Sequence, residues 1–219
     1  MKLADIKVLV NCEQSGHVRD AFARLGFDAW SCDLQPTRQP GQHIIGDAIE
    51  VSRRPGWHLM IAHPPCKYIA ISGNRHRDLP GRAELRKEAI DFFFALWQAP
   101  IPHIGLENPI GYIHSILPPT QTIHPYFFGE RQMKRTSLWL KGLPPLTHWP
   151  HSTLFGPATH TQPPEPKYRD KSGKNRHFTE SIAGNSREAE YRRAVTFQAI
   201  ADAMAAQWGD HLIYKYIDT

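Results

Sequence analysis

The stretch Ile6-Lys7-Val8-Leu9-Val10-Asn11-Cys12-Glu13-Gln14-Ser15-Gly16-His17, with its continuation to Asp33, decides the fold. Ile6 to Val10 is a short apolar run that reads as a buried strand. Val18, Ala21, Phe22 and Leu25 follow at i, i+3, i+4 and i+7, which is one apolar face of a helix. Gly26 stands where a helix C-terminal cap is expected. Phe27 to Cys32 reads as a second strand, closed by Asp33 and the loop carrying Pro36 and Pro40. Strand, helix and strand within about thirty residues is the length of a parallel crossover unit.

The same alternation continues outward. His58 to Ala62 is a third apolar run, stopped by Pro64-Pro65. Leu85, Ala89, Phe92, Phe93 and Leu96 predict a second amphipathic helix, closed by Pro100 and Pro102. Ile104-Gly105-Leu106 leads as a strand into Glu107-Asn108-Pro109, and Thr136 to Leu140 reads as another strand. Phe197, Ile200, Ala201, Met204, Ala205 and Trp208 form a helical stripe near the C-terminus. The pattern predicts an α/β protein with a mostly parallel sheet and helices on both faces. It divides into a core over residues 1–141, a Pro-rich basic insertion over 142–180 and a C-terminal helix over 181–219 that returns to the core. The insertion, interrupted by seven prolines from Pro144 to Pro166, reads as an extended loop rather than a second domain.

Composition narrows the function classes. The chain has 219 residues, 41% of them hydrophobic, enough for one sizeable core. No apolar run approaches the ~20 residues of a membrane span, and the N-terminal stretch lacks the pattern of a signal peptide. A cytoplasmic protein without a membrane or an obligate protein partner is expected. Lys and Arg number 26 against 21 Asp and Glu, a net charge of +5, compatible with a polyanionic partner. Three cysteines without a C-x-x-C exclude a disulfide framework. Cys12 and Cys32 read as buried small hydrophobes. The histidines lack zinc spacing, so no metal is expected.

Four segments carry candidate chemistry. His63-Pro64-Pro65-Cys66 follows a buried strand, and ligands in open α/β sheets bind beyond the carboxyl ends of strands. Two prolines stiffen that turn and would hold a nucleophile; alternatively Cys66 is a structural cysteine. Glu107 stands at another strand end, where partial desolvation is expected to raise its pKa and let it donate near neutral pH. Alternatively it caps a turn with Asn108-Pro109. The turn Asn11 to His17 enters a helix N-terminus, a common cofactor cradle, although only Gly16 is present and no G-x-G-x-x-G exists. Asp33 and Asp47, at the next junctions, could accept hydrogen bonds from a nucleoside. Finally, Arg131-Gln132-Met133-Lys134-Arg135 could hold a base carbonyl or a phosphate, or form a solvated basic turn.

In this order the segments resemble the cytosine-C5 DNA methyltransferase family. Val10 to Asp33 resembles its cofactor-binding start, His63-Pro64-Pro65-Cys66 through Ser72-Gly73 its Pro-Cys loop, and Glu107-Asn108-Pro109 its Glu-Asn-Val segment. Arg131 to Arg135 is similar to its Gln-Arg-x-Arg segment. The chain also resembles short phage-encoded members of that family at 125–129 and 138–145. The resemblance implies a Rossmann-like, S-adenosylmethionine-dependent methyltransferase fold and DNA as substrate. It implies Cys66 as nucleophile, Glu107 on the N3/N4 edge of the base, and Arg135, or else Arg131, on its O2 side. It places Glu13, Ser15 and Gly16 at the methionine end of S-adenosylmethionine, Asp33 on its ribose, Asp47 on its adenine edge and Pro64 beside it. Pro65, Ser72 and Asn108 would shape the substrate pocket. Lys134, Arg135 and a nearby helix end would lower the thiol pKa.

The chain departs from the family at the Phe-x-Gly-x-Gly motif, in having Lys67 where the family has Gln, and in lacking a clear Gly-Asn motif, for which Thr196-Phe197-Gln198 would stand in. Residues 142–180 would be a reduced target-recognition region, able to hold phosphate while specifying little sequence. Two alternatives stay open. The same cysteine addition could serve another C5 modification or a nucleotide or RNA acceptor, or the chain could be a non-catalytic DNA binder.

Overall fold

The computed structural model describes residues 1–71, 78–152, 154, 156–173, 175–177, 182 and 186–218. Its centre is a seven-stranded sheet of β1 (Lys7–Asn11), β2 (Asp28–Asp33), β3 (His43–Ile45), β4 (Leu59–Ala62), β5 (His103–Asn108), β6 (Gln121–Ile123) and β7 (Thr136–Lys141). The spatial order is β3-β2-β1-β4-β5-β7-β6. The first five strands are parallel, and β7 runs antiparallel to both β5 and β6. This is the Rossmann-like, mostly parallel sheet that the sequence predicts and the methyltransferase resemblance implies. Both border strands, β3 and β6, are three residues long.

The central strands β1 and β4 read as near-continuous apolar runs because they face a core on both sides. Val8 and Val10 of β1, with Leu59 and Ile61 of β4, enter one core beside α1 (His17–Arg24) and the C-terminal helix. Leu9, Met60 and Ala62 point the other way, into a core with Phe93 and Leu96. These belong to α3 (Arg82–Trp97), which lies on that face with α2 (Ala48–Ser52). After the short α4 (Ile113–Ile116), the remaining helices are α5 (Arg187–Ala194) and α6 (Gln198–Tyr216). Trp208 of α6 is fully buried and lies over Gly105 of β5, where a Cβ would stand 3.1 Å from its ring.

Gly26 adopts φ +96° just beyond α1, as its capping role requires. β5 reaches two residues further than its apolar run, so Glu107 and Asn108 are the last residues of the strand rather than of the turn after it. Within 142–180, among the described residues, the regular structure is a hairpin of β8 (Tyr168–Arg169) and β9 (Asn175–Arg176). The start of this segment is tied to the core, since Trp208 Nε1 donates to Pro144 O at 3.0 Å and Gln121 bonds both backbone groups of Leu146.

Candidate active site

β1, β4 and β5 end side by side, and the loops that leave them meet at the carboxyl edge of the sheet, where ligands of open α/β sheets bind. The β1–α1 turn is built on Glu13, which is buried. Its Oε1 accepts from Ser15 Oγ and from Val18 N, and its Oε2 accepts from Arg19 N. Glu13 thereby satisfies first-turn amides of α1 that the helix leaves open. Gly16 is left-handed at φ +77°, with the Arg19 guanidinium 2.5 Å from where a Cβ would lie. Arg19 is fully buried, pairs with Asp20 at 2.7 Å, and donates to Ser31, Thr37, Gln39 O and Pro40 O. It thus fastens the β2–β3 loop against the cradle.

Cys12 departs from its expectation. It is half-buried rather than buried and is the one non-glycine with positive φ, +58°, among the described residues, a conformation that L-residues adopt at a cost. Its thiol pKa is raised far above the ordinary value by burial and by Asp33. Cys32 is buried, as expected.

An open cleft with a cavity volume of about 90 Å³ is lined by Cys12, Glu13, Gln14, Ser15, Asp33, His63, Tyr191, Ala194, Val195 and Thr196. Asp33, at the end of β2, accepts from Gln35 N, and burial pushes its carboxyl up. α5 forms the opposite wall. It is held there by Arg38, which stacks 3.6 Å from the Tyr191 ring centre and pairs with Glu188 at 2.8 Å. Asp47 stands elsewhere. It is exposed and caps α2, accepting from Ile49 N and Glu50 N, so it is not a wall of this cleft.

The turn after β4 is tied to its neighbours on both sides. His63 N donates to Asn11 O, and Asn108 Nδ2 donates to Pro64 O at 2.8 Å. Pro64 is buried and Pro65 exposed. Cys66 O accepts from Ile69 N and Ala70 N, which starts a helical turn. That turn abuts Gly111, where a Cβ would meet Ile69 O at 1.9 Å, so only glycine permits the approach. Cys66 itself is half-buried at the margin of the α3-side core. Ser72 lies outside the described residues.

A second, smaller cavity beside the first is lined by Glu107, Lys134, Thr136, Thr196, Phe197 and Ile200. Thr196 belongs to both cavities; Cys66 lines neither. Three expectations are corrected here. Burial works to raise the Glu107 pKa, but Lys134, His63 and Thr136 outweigh it and the net shift is downward, so Glu107 is a carboxylate rather than an acid. The Cys66 thiol is raised, not lowered, because burial and the Glu107 charge prevail over Lys134 and Arg193. Arg135 and Arg131 are exposed, and it is Lys134 that stands against Glu107. Side chains alternate along an extended segment, and Arg135 instead acts on His124.

Sequence patterns assigned no role to His63. Its Nδ1 lies 3.4 Å from Glu107 Oε2. Tyr191 and Arg19 carried no signal either, since neither belongs to a recognisable motif.

No protein-family model matches this sequence, and the search of curated proteins found no match. Among solved structures, the chain is similar to a protein encoded within an Escherichia coli prophage and described as a candidate DNA modification methyltransferase. The likeness has a TM-score of 0.42 at 15% identity and covers 62% of this chain and 46% of that one. The chain therefore spans less than half of that protein, and a match of this depth assigns no activity to it.

Proposed function

We propose that this chain transfers a methyl group from S-adenosylmethionine to C5 of cytosine in DNA, through a covalent adduct with Cys66. The observation that carries the reading is the Asn108–Pro64 hydrogen bond. It ties the Cys66 turn to the strand of Glu107, so that thiol and carboxylate feel each other's charge. The larger cleft offers polar groups for a nucleoside carrying an amino-acid tail: the Asp33 carboxylate at a strand end and a buried His63 Nε2 without a partner among the described residues. Asp33, Ser15 and Gln14 would hold such a molecule. Glu13 supports the cradle from beneath, because backbone amides and Ser15 already occupy its carboxylate.

Cys66, deprotonated, adds to C6 of the ring, and its S–C6 bond makes C5 nucleophilic. Glu107, an acceptor at neutral pH, takes a hydrogen bond from the N4 edge and so orients the base over the thiol. Lys134 offsets the carboxylate's effect on the thiol. S-adenosylmethionine, when bound, supplies the electrophilic methyl group. The C5 proton passes to water, the S–C6 electron pair returns to sulfur, and the ring regains aromaticity as Cys66 leaves as a thiolate. Pro65 and Asn108 shape the turn.

The test is covalent trapping on an oligonucleotide containing 5-fluorocytosine, together with tritiated-methyl incorporation. Wild type is expected to form the adduct and label DNA, and Cys66→Ala to do neither. No labelling of any nucleic acid by wild type would remove the reading. A second reading, with RNA or a free nucleotide as acceptor, is favoured by the two-residue strands of the β8–β9 hairpin, the regular structure among the described residues of 142–180, which offer little to grip a duplex. The same assay with RNA and dCMP separates the two.

A further inference from the structure

His63 stands between the larger cleft, which it lines, and Glu107, which lines the smaller cavity. Its side chain is 6% exposed, it lines the Cys12–Asp33 cleft, and its Nδ1 faces Glu107 Oε2 in the other direction. Its Nε2 is buried without a partner among the described residues. A neutral imidazole carries one N–H and one acceptor nitrogen. Glu107 is an acceptor only, so Nδ1 donates and Nε2 presents a lone pair. The cleft wall around it is rich in further acceptors, Asp33 and Ser15 among them. The open Nε2 beside these acceptors fits a hydroxyl or ammonium group of a ligand.

We propose that His63 is a positioning residue that couples the two cavities. A hydroxyl or ammonium group of the molecule in the larger cleft donates to Nε2 and selects the tautomer protonated at Nδ1. That proton then holds Glu107 Oε2 toward the smaller cavity. At 3.4 Å the Nδ1–Oε2 contact is long for a hydrogen bond, and occupancy of the cleft shortens it. The inference rests on reading that cleft as the site of S-adenosylmethionine, and it adds that filling the cleft organises the base pocket before any base arrives.

The probe is S-adenosylhomocysteine, which has the ammonium and hydroxyl groups but no methyl to transfer. In wild-type protein with ¹⁵N-labelled histidine, its addition is expected to shift the His63 Nε2 resonance as an accepted hydrogen bond does and to sharpen the Nδ1–H signal. This readout needs no variant to fold. By calorimetry, His63→Phe weakens binding about five- to tenfold, the worth of one hydrogen bond in a dry site. Glu107→Ala also weakens it, by about threefold, although Glu107 is not in the cleft wall. Unmoved His63 resonances, or Glu107→Ala binding the probe as wild type does, overturn the coupling while the cofactor reading stands. If wild type does not bind the probe, the reading of the cleft itself fails, and the coupling with it.

Discussion

At the scale of single residues the site is a contest of charges around one thiol. Burial, with the Glu107 charge, pushes the Cys66 thiol up, and Lys134 opposes them. The alkylation rate of Cys66, followed by peptide mass against pH, is expected to rise with a midpoint above that of an ordinary thiol. Glu107→Gln removes a negative neighbour and moves the midpoint down; Lys134→Met removes a positive one and moves it up. Coincident profiles for all three proteins would contradict the arrangement. The nucleophile candidate, its Pro-Pro turn and the Glu-Asn pair were legible because they are contiguous patterns at strand ends. The polarity of their pKa shifts was not. It depends on Lys134 and His63, brought together only by folding. The structure sets Lys134 beside Glu107 and leaves Arg135 exposed, a difference that a motif of neighbouring basic residues cannot resolve.

At the scale of elements, those with a full period of pattern were readable. β1, α1, β2, β4, α3, β5, β7 and α6 all stand close to their predicted places. The short β3, α2, β6 and α4, of three to five residues, are too brief to show a period and are set by neighbours. The join between the Cys66 turn and the segment after β5 also had no signal, since it rests on the missing side chain of Gly111. Gly111→Ala forces a methyl into Ile69 O. Urea unfolding should show a loss of about 1–3 kcal/mol, as for other overpacked sites. Any adduct formation should fall further than stability does, since the displaced turn carries Cys66. An unchanged midpoint would mean the two segments can part freely.

At the scale of the whole molecule, buried histidines make the fold sensitive to acid. Burial, with Arg135 and His177, lowers the His124 pKa from 6.5 to about 4. His58, His103, His114, His148 and His160 shift the same way, burial being the largest cause in each. A base whose folded pKa is depressed contributes stability that is complete above its unfolded value and is lost as pH falls toward the folded one. The melting temperature is therefore expected to drop between pH 6.5 and 4. His124→Phe keeps the ring packing against Tyr126 and Phe127 and should flatten that slope. An equal slope in the variant would assign the acid lability to other groups.

The brevity of β3 and β6 has a consequence for how the molecule behaves among its own copies. A sheet margin is a row of unsatisfied amides and carbonyls that invites another chain to add on, and a long one seeds aggregation. Three residues at either margin provide almost no template. A crowd of these molecules, each basic and mutually repelling, has little to zip together, so the fold guards its own dispersal at the places where parallel sheets are most vulnerable.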